Sequence, residues 1–194
     1  LRVFLEDKHC AHIHFILRPS DESFIKEVLH QLYGEVPEKV TFVYGGKERQ
    51  DSVKNGLETV RDEYVFVHDA ARPFIDQEMV DALFLKVKKE GAAIVAIPAK
   101  DTVKRVRDEA VVESLYRPEV WQVQTPQAFR STLLKEAYAK ATEERYRGNE
   151  EGELVERMGQ PVSVIQGKTT NFKVTTPEDL ELAKGLIKIK REKA

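Results

Sequence analysis

Between residues 11 and 98 short apolar runs alternate with amphipathic stretches, and this alternation restricts the fold more than any other feature of the sequence. Residues 11–17 (AHIHFIL) place Ile13, Phe15 and Leu17 on one face and predict a strand. Ser20-Asp21 predicts the cap of a helix whose apolar residues Phe24, Val28, Leu29 and Leu32 have helical spacing, with Gly34 as its stop. A strand over 39–44 (KVTFVY) then runs into Gly45-Gly46 and a helix from about Asp51, with Val53, Leu57 and Val60 in register. YVFVH at 64–68 has the short apolar pattern of a buried strand. A helix over 77–90 carries the stripe Met79, Val80, Leu83 and Val87 and stops at Gly91, and AAIVAIP at 92–98 reads as another buried strand. This order predicts an α/β fold of Rossmann-like type: an open, mainly parallel sheet with right-handed crossovers.

The 194 residues fit one domain over 1–194, with enough chain to bury a substantial core. A formal charge of −2 lacks the basic excess of a nucleic-acid binder. Small phosphorylated substrates stay open, since a few local cations and backbone amides suffice for them. Cys10 is the single cysteine, which excludes an intrachain disulfide and suits a reducing cytoplasm. No apolar run approaches the ~18 residues of a membrane span, and no secretory signal opens the chain, so a cytoplasmic protein without a membrane partner is expected.

After residue 100 the pattern changes. Residues 101–115 (DTVKRVRDEAVVESL) predict two short strands around the turn Arg107-Asp108-Glu109, a hairpin of the kind that carries a partner contact. Past WQVQTPQAF come a helix at about 130–146, a polar helical stretch to about 158 and a strand at 161–166. Lys173, in NFKV, is placed in a strand just before a helix that Thr176, Pro177 and Asp179 start. That helix ends in a basic tail of Lys188, Lys190, Arg191 and Lys193, which suits a negative helix end.

Three loops leave the carboxyl ends of the expected parallel strands: 45–52 (GGKERQDS), 69–74 (DAARPF) and 98–104 (PAKDTVK). Ligands of open α/β sheets bind along that edge. Gly45-Gly46 lets backbone approach a flat ligand and Ser52 can meet a base edge; a Gly-Gly turn with Ser52 at the helix start accounts for the same residues equally well. Asp69 can bind Mg²⁺ or orient a hydroxyl while Arg72 grips phosphate, against the plainer reading of a surface ion pair or helix cap. Base rates make Lys173 a solvated lysine on an edge strand. His68 reads as a packed strand residue, and His12 and His14 share a polar face. No set of His, Cys and carboxylates has zinc spacing, and neither a P-loop nor a nucleophile elbow is present.

Five segments carry a family resemblance: GGKERQDSVKNGL (45–57), VFVHDAARPFI (65–75), KDTVKRV (100–106), VWQVQTPQAF (120–129) and NFKVTTPEDLELA (171–183). Together they resemble the 2-C-methyl-D-erythritol 4-phosphate cytidylyltransferases of the non-mevalonate isoprenoid pathway, over residues 1 to about 190. The resemblance implies transfer of a cytidylyl group from CTP to that alditol phosphate, with Mg²⁺ as cofactor. It implies that Gly46 and Ser52 read the cytosine and that Asp69 and Lys173 lie beside the reacting phosphates. It makes Arg72 the arginine of the Asp-x-Ala-Arg-Pro motif, and makes Thr102, Arg117 and Thr125 grips on the substrate phosphate. It further implies a homodimer in which an arm over about 101–124 brings Thr102 and Arg117 to the partner's site.

The family also opens with a buried strand and a Gly-rich loop bearing Arg and Lys. A βα unit on the order of 30 residues is therefore expected ahead of Leu1. Asn149-Glu150-Glu151-Gly152-Glu153 stands where the family reads Thr-Asp-Asp/Glu-Ala-Ser, so no role is transferred there. The metal's ligands stay unassigned. Two alternatives remain at this point: a ribitol 5-phosphate cytidylyltransferase on the same scaffold, and a non-catalytic nucleotide-binding or dimerisation module.

Overall fold

The computed structural model describes residues 1–192. In chain order its elements are α1 (Arg2–Glu6), β1 (Ile13–Leu17), α2 (Glu22–Tyr33), β2 (Val40–Tyr44), α3 (Arg49–Thr59), β3 (Tyr64–Val67), α4 (Gln77–Glu90) and β4 (Ala92–Pro98). There follow β5 (Lys104–Arg107), β6 (Ala110–Ser114), β7 (Trp121–Arg130), α5 (Ser131–Glu143), α6 (Glu151–Glu156), β8 (Ser163–Gln166) and α7 (Pro177–Glu192). The alternation expected up to residue 98 is present. Of the basic tail, Lys188 is exposed on α7, while the Lys190 and Arg191 side chains and Lys193 lie outside the described residues.

Strands β1 and β2 pair in parallel, Ile13 opposite Val40. A four-stranded sheet runs β3-β7-β4-β8, with β8 parallel to β4 and β7 antiparallel to both its neighbours. Strand β7, over the WQVQTPQAF segment, was not expected. Pro126 argues against a central strand, since proline cannot donate to a ladder. The ladder yields locally: its register shifts between Ile94 and Val95, opposite Gln127 and Gln124, so that Thr125 and Pro126 sit in a bulge. The expected arm of 101–124 therefore divides. Its β5–β6 hairpin is exposed, while residues 121–124 open β7 and pair with Pro98 to Val95 of β4 in the central sheet. Asp108 and Glu109 turn that hairpin, both at positive φ.

The alternation of side chains along β4 and β7 divides the core between two faces. Ile94 and Phe129 pack with Val53 and Leu57 of α3, Leu134 and Tyr138 of α5, and Leu154 and Val155 of α6. Ala93, Val95 and Ala128 pack on the other face against Met79, Val80, Leu83 and Val87 of α4. Leu83 and Val87 are fully buried, each worth about 1.5–3 kcal/mol over an exposed position. The expected stripe of α4 is thus its core face, and Gly91 ends it at φ 84°. On α2 the stripe holds less well: Leu29 is buried, but Phe24 and Leu32 are about two-thirds exposed, at 65% and 67%. Asp21 does not cap α2 with its side chain, because Arg18 binds that carboxylate. Strand β3, expected to be buried, is only partly so, lying at the edge of the four-stranded sheet.

Candidate functional site

The carboxyl ends of β2 and β3 set the first two loops side by side. After β2, Gly46 donates its N–H to Ser52 Oγ at 3.0 Å, and Ser52 Oγ donates to the Glu48 carbonyl at 3.0 Å. Glu48 and Asp51 form a capping box that starts α3. The loop lies so close over the helix that a Cβ on Gly46 would stand 2.5 Å from Asp51 Cβ. Ser52 thus ties the loop down in this structure, and glycine is required at 46 by close approach.

Asp69 follows β3 with its side chain 18% exposed, and three cations reach it. Lys173 Nζ is 3.1 Å from Oδ2, Arg49 Nη2 is 3.5 Å from Oδ1, and Arg72 Nε is 3.9 Å from Oδ2. Burial pushes the Asp69 carboxyl up, but the Lys173 hydrogen bond and the charges of Arg49, Lys173 and Arg72 outweigh it and hold it below the usual carboxylate range. Lys173 is not in a strand. It lies in an extended segment without a ladder, anchored where Val174 N–H donates to the Ala71 carbonyl at 2.8 Å. The solvated edge-strand lysine of the plainer reading is instead a partner of Asp69.

Beneath Asp69 the support is polar and specific. Thr125 is 5% exposed, and its Oγ1 accepts from the Asp69 N–H at 3.0 Å and meets His68 Nδ1 at 3.0 Å. His68 Nε2 meets the Arg72 carbonyl at 3.1 Å. Burial drives the imidazole down to about 4, so His68 is neutral and linked on both nitrogens. Thr125 therefore lies under Asp69 and not in the open crevice. Arg72 donates to the carbonyl of the fully buried Asn171 at 2.9 Å, joining the Asp69 loop to the segment that carries Lys173.

Thr102 and Arg117 lie elsewhere. Both are exposed at the base of the hairpin, where Arg117 donates to the Lys100 carbonyl at 3.1 Å. The third loop, 98–104, is tied to that region through the Ala99 N–H and the Val120 carbonyl. The hairpin itself is exposed throughout, including Val106, Val111 and Val112.

Sequence reasoning passed over Arg49 and Glu151. Glu151, 1% exposed at the start of α6, accepts both Arg49 Nη1 (2.7 Å) and Nη2 (2.9 Å), and also the Tyr138 hydroxyl (3.1 Å). The two residues are 102 positions apart, and an acidic run at a helix start reads as solvated. Its sequence signal was the departure from the family pattern at 149–153. An open cleft of about 400 Å³, bounded by Lys47, Arg49 and Arg147, adjoins this pair. A somewhat larger one, about 460 Å³, lies by Lys100 and the 166–170 loop and is lined by none of Asp69, Arg72 or Lys173. The charged cluster lies apart from the larger cleft. Three cations face two carboxylates there, which leaves one net positive charge at a sheet edge open to phosphate.

The sequence profile of the 2-C-methyl-D-erythritol 4-phosphate cytidylyltransferases matches residues 1–189. The chain is 42% identical over 192 residues to the enzyme of that name from Bacillus cytotoxicus, covering 98% of this chain and 84% of that protein. The fold is similar to the crystal structure of 4-diphosphocytidyl-2C-methyl-D-erythritol synthase from Anaerococcus prevotii, with TM-score 0.88 and 30% identity over 96% of this chain and 83% of the other. It is also similar to the Thermus thermophilus cytidylyltransferase, with TM-score 0.78 and 33% identity over 93% and 84% of the two chains.

Proposed function

The chain belongs to the 2-C-methyl-D-erythritol 4-phosphate cytidylyltransferase family, and we propose on that footing how its crevice performs the transfer. It is a nucleotidyltransferase of isoprenoid precursor synthesis, joining CTP to 2-C-methyl-D-erythritol 4-phosphate and releasing pyrophosphate. Match over nearly the whole chain favours this reading over a ribitol 5-phosphate enzyme or an inert module. The observation that carries the site assignment is the convergence of Lys173, Arg72 and Arg49 on Asp69, at the carboxyl edge of the sheet.

A phosphate oxygen of the alditol phosphate attacks the α-phosphorus of CTP in line, and the pyrophosphate leaves on the opposite side. Such a transfer needs positioning and charge neutralisation more than a covalent nucleophile. Lys173 supplies a fixed cation to the reacting phosphates, and Asp69 orients the alditol phosphate. Arg72 holds the two loops together and adds positive charge. Gly46 and Ser52 border the cytosine, a role that suits backbone pressed close to the α3 start. Thr125, expected as a grip on the substrate phosphate, is buried and instead acts by keeping the Asp69 backbone in place from below.

Magnesium ion fits here as a companion of the nucleotide's phosphates. Among the described residues no three His, Cys, Asp or Glu side chains group as a metal cage, so the phosphates themselves would hold most of such an ion, with Asp69 as the crevice carboxylate that could join them. When bound, the ion neutralises phosphate charge. Thr102 and Arg117 act on the partner's substrate in a homodimer joined through the hairpin; the exposure of both residues at the hairpin base and the exposed valines of β5 and β6 support that arrangement. No described helix is long and apolar enough to cross a membrane; from its small phosphorylated substrates we propose a cytoplasmic enzyme. The test is pyrophosphate release by the full chain with CTP, Mg²⁺ and either methylerythritol or ribitol phosphate. Release with methylerythritol phosphate is expected, and preference for the ribitol ester would overturn the substrate assignment.

A further inference from the structure

Arg49 occupies an unusual position between the two halves of the crevice. It is the first residue of α3, one turn from Ser52, which the proposed function sets on the nucleotide side. Its guanidinium extends across to Asp69, on the alditol phosphate side, with Nη2 3.5 Å from Oδ1. Behind it stands Glu151, fully enclosed, with both oxygens taken by Arg49 at 2.7 and 2.9 Å. A paired, forked contact of this kind fixes the plane of the guanidinium, which a single contact leaves free to turn. Glu151 is itself held. Tyr138 donates to Oε1, and Glu150 caps the same helix start by accepting from Gly152 and Glu153 N–H at 2.8 Å each.

The distances decide which contact dominates. Arg49 makes two short charge-assisted bonds to Glu151 and only a long one to Asp69. Its cation is thus anchored away from Asp69 while still facing it. Lys173 holds the other oxygen, Oδ2, so the carboxylate is steered from both sides without being closed off by either.

We propose that Arg49 is a positioning residue of the transfer reaction: pinned by the buried Glu151, it sets the orientation of the Asp69 carboxylate from the nucleotide side. The inference rests on the assignment of Asp69 to the substrate, and it gives the buried Glu151 a function at the site. Arg49 itself forms no bond to the reacting atoms. It links the loop that borders the base to the carboxylate that orients the acceptor.

The test uses the full chain and four variants: Arg49→Lys, Glu151→Gln, Asp69→Asn and Arg49→Lys with Asp69→Asn. Arg49→Lys keeps the charge but loses the fork, and Glu151→Gln keeps the shape but loses half of the forked acceptor. A misplacement of this kind reaches about 100-fold in rate, so both single variants are expected to lower kcat by about 10- to 100-fold. The CTP KM is expected to stay within about threefold of wild type, since positioning acts on the reacting geometry and not on base binding. In the Asp69→Asn background, Arg49→Lys is expected to lower kcat/KM by less than about threefold, because its route of action is already cut. Three results would overturn the proposal: unchanged kcat in either folded single variant, a loss confined to the CTP KM, or a full multiplicative loss in the double variant. Slow turnover by the Asp69→Asn protein is read over long incubations; if it falls below detection, the kcat and KM of the two single variants decide. A full-length wild-type protein that releases no pyrophosphate would instead refute the cytidylyltransferase reading, and the two failures are thereby told apart.

Discussion

Replacing Lys173 by alanine removes the cation nearest Asp69, 3.1 Å from Oδ2. At that separation the attraction lies between about 1 kcal/mol in bulk water and about 5 kcal/mol at an effective dielectric constant near 20. The Lys173 side chain is 43% exposed, so solvent screening brings its share of stability to about 1 kcal/mol or less. The effect on transfer is larger, because the same ammonium faces phosphate charge that grows in the transition state. Loss of one preorganised group of this type lowers kcat by about 10²–10³-fold, or ~3–4 kcal/mol. The two magnitudes separate cleanly when pyrophosphate release and a urea melt are measured on the same preparation. A fall in kcat of that size is expected, with a melt close to wild type. Near-wild-type turnover in a folded Lys173→Ala protein would refute the reasoning, as would a melt shift large enough to account for the whole loss.

The His68 imidazole sits at about 4, below the 6.5 of the unfolded chain, so its contribution to stability is complete above pH 6.5 and falls as the pH drops towards 4. Between pH 7 and pH 5 that loss is about 2 kcal/mol, and urea melts of His68→Gln should lack it; equal losses in both proteins would count against the buried neutral histidine. The depressed Asp69 carboxyl acts in the same direction, at pH values nearer its own folded range. Gly46→Ala forces a Cβ to within 2.5 Å of Asp51 Cβ, so the loop must shift; the CTP KM should rise by about tenfold or more, and an unchanged KM would detach Gly46 from the nucleotide. Mixing Asp69→Asn subunits with Arg117→Ala subunits leaves one intact site of two if Arg117 acts across a two-fold dimer. Activity near half of wild type per heterodimer is expected, and no rescue despite verified subunit exchange would reject the arm.

The parts of the fold visible in the sequence were those decided locally. The stripe of α4 and its stop at Gly91 are set by spacing and by a single left-handed glycine, and both appear where expected. The turn of the hairpin, Asp108-Glu109, is likewise a local event. Strand β7 was missed because Pro126 is a local signal against a strand, and the bulge that accommodates it depends on β4, a partner elsewhere in the chain. The same division runs through the site. Asp69 and Arg72 announce themselves by lying three residues apart at a strand end. The attachment of Lys173 to Asp69 is fixed by the Arg72–Asn171 and Val174–Ala71 bonds, which no spacing records. Glu151 was least visible of all: full burial and the forked Arg49 contact distinguish it from the half-buried Glu150 and Glu153, and neither is recorded in the local sequence.

The central place of β7 also has a consequence during synthesis. Strands β3 and β4 do not pair with each other; each waits for β7, which lies beyond the hairpin and ends at Arg130. A ribosome adding about 5–20 residues per second leaves the β3 edge without its neighbour for roughly 3 to 13 seconds after Val67 is made. During that interval the nascent chain presents open strand edges and the apolar residues of α4 with no sheet beneath them. Whatever lengthens the excursion between β4 and β7, a slow codon run or an insertion in the hairpin, extends that exposure. A slow codon run would lower the yield of folded enzyme while leaving the properties of the molecules that do fold untouched, whereas an insertion in the hairpin would also disturb the arm.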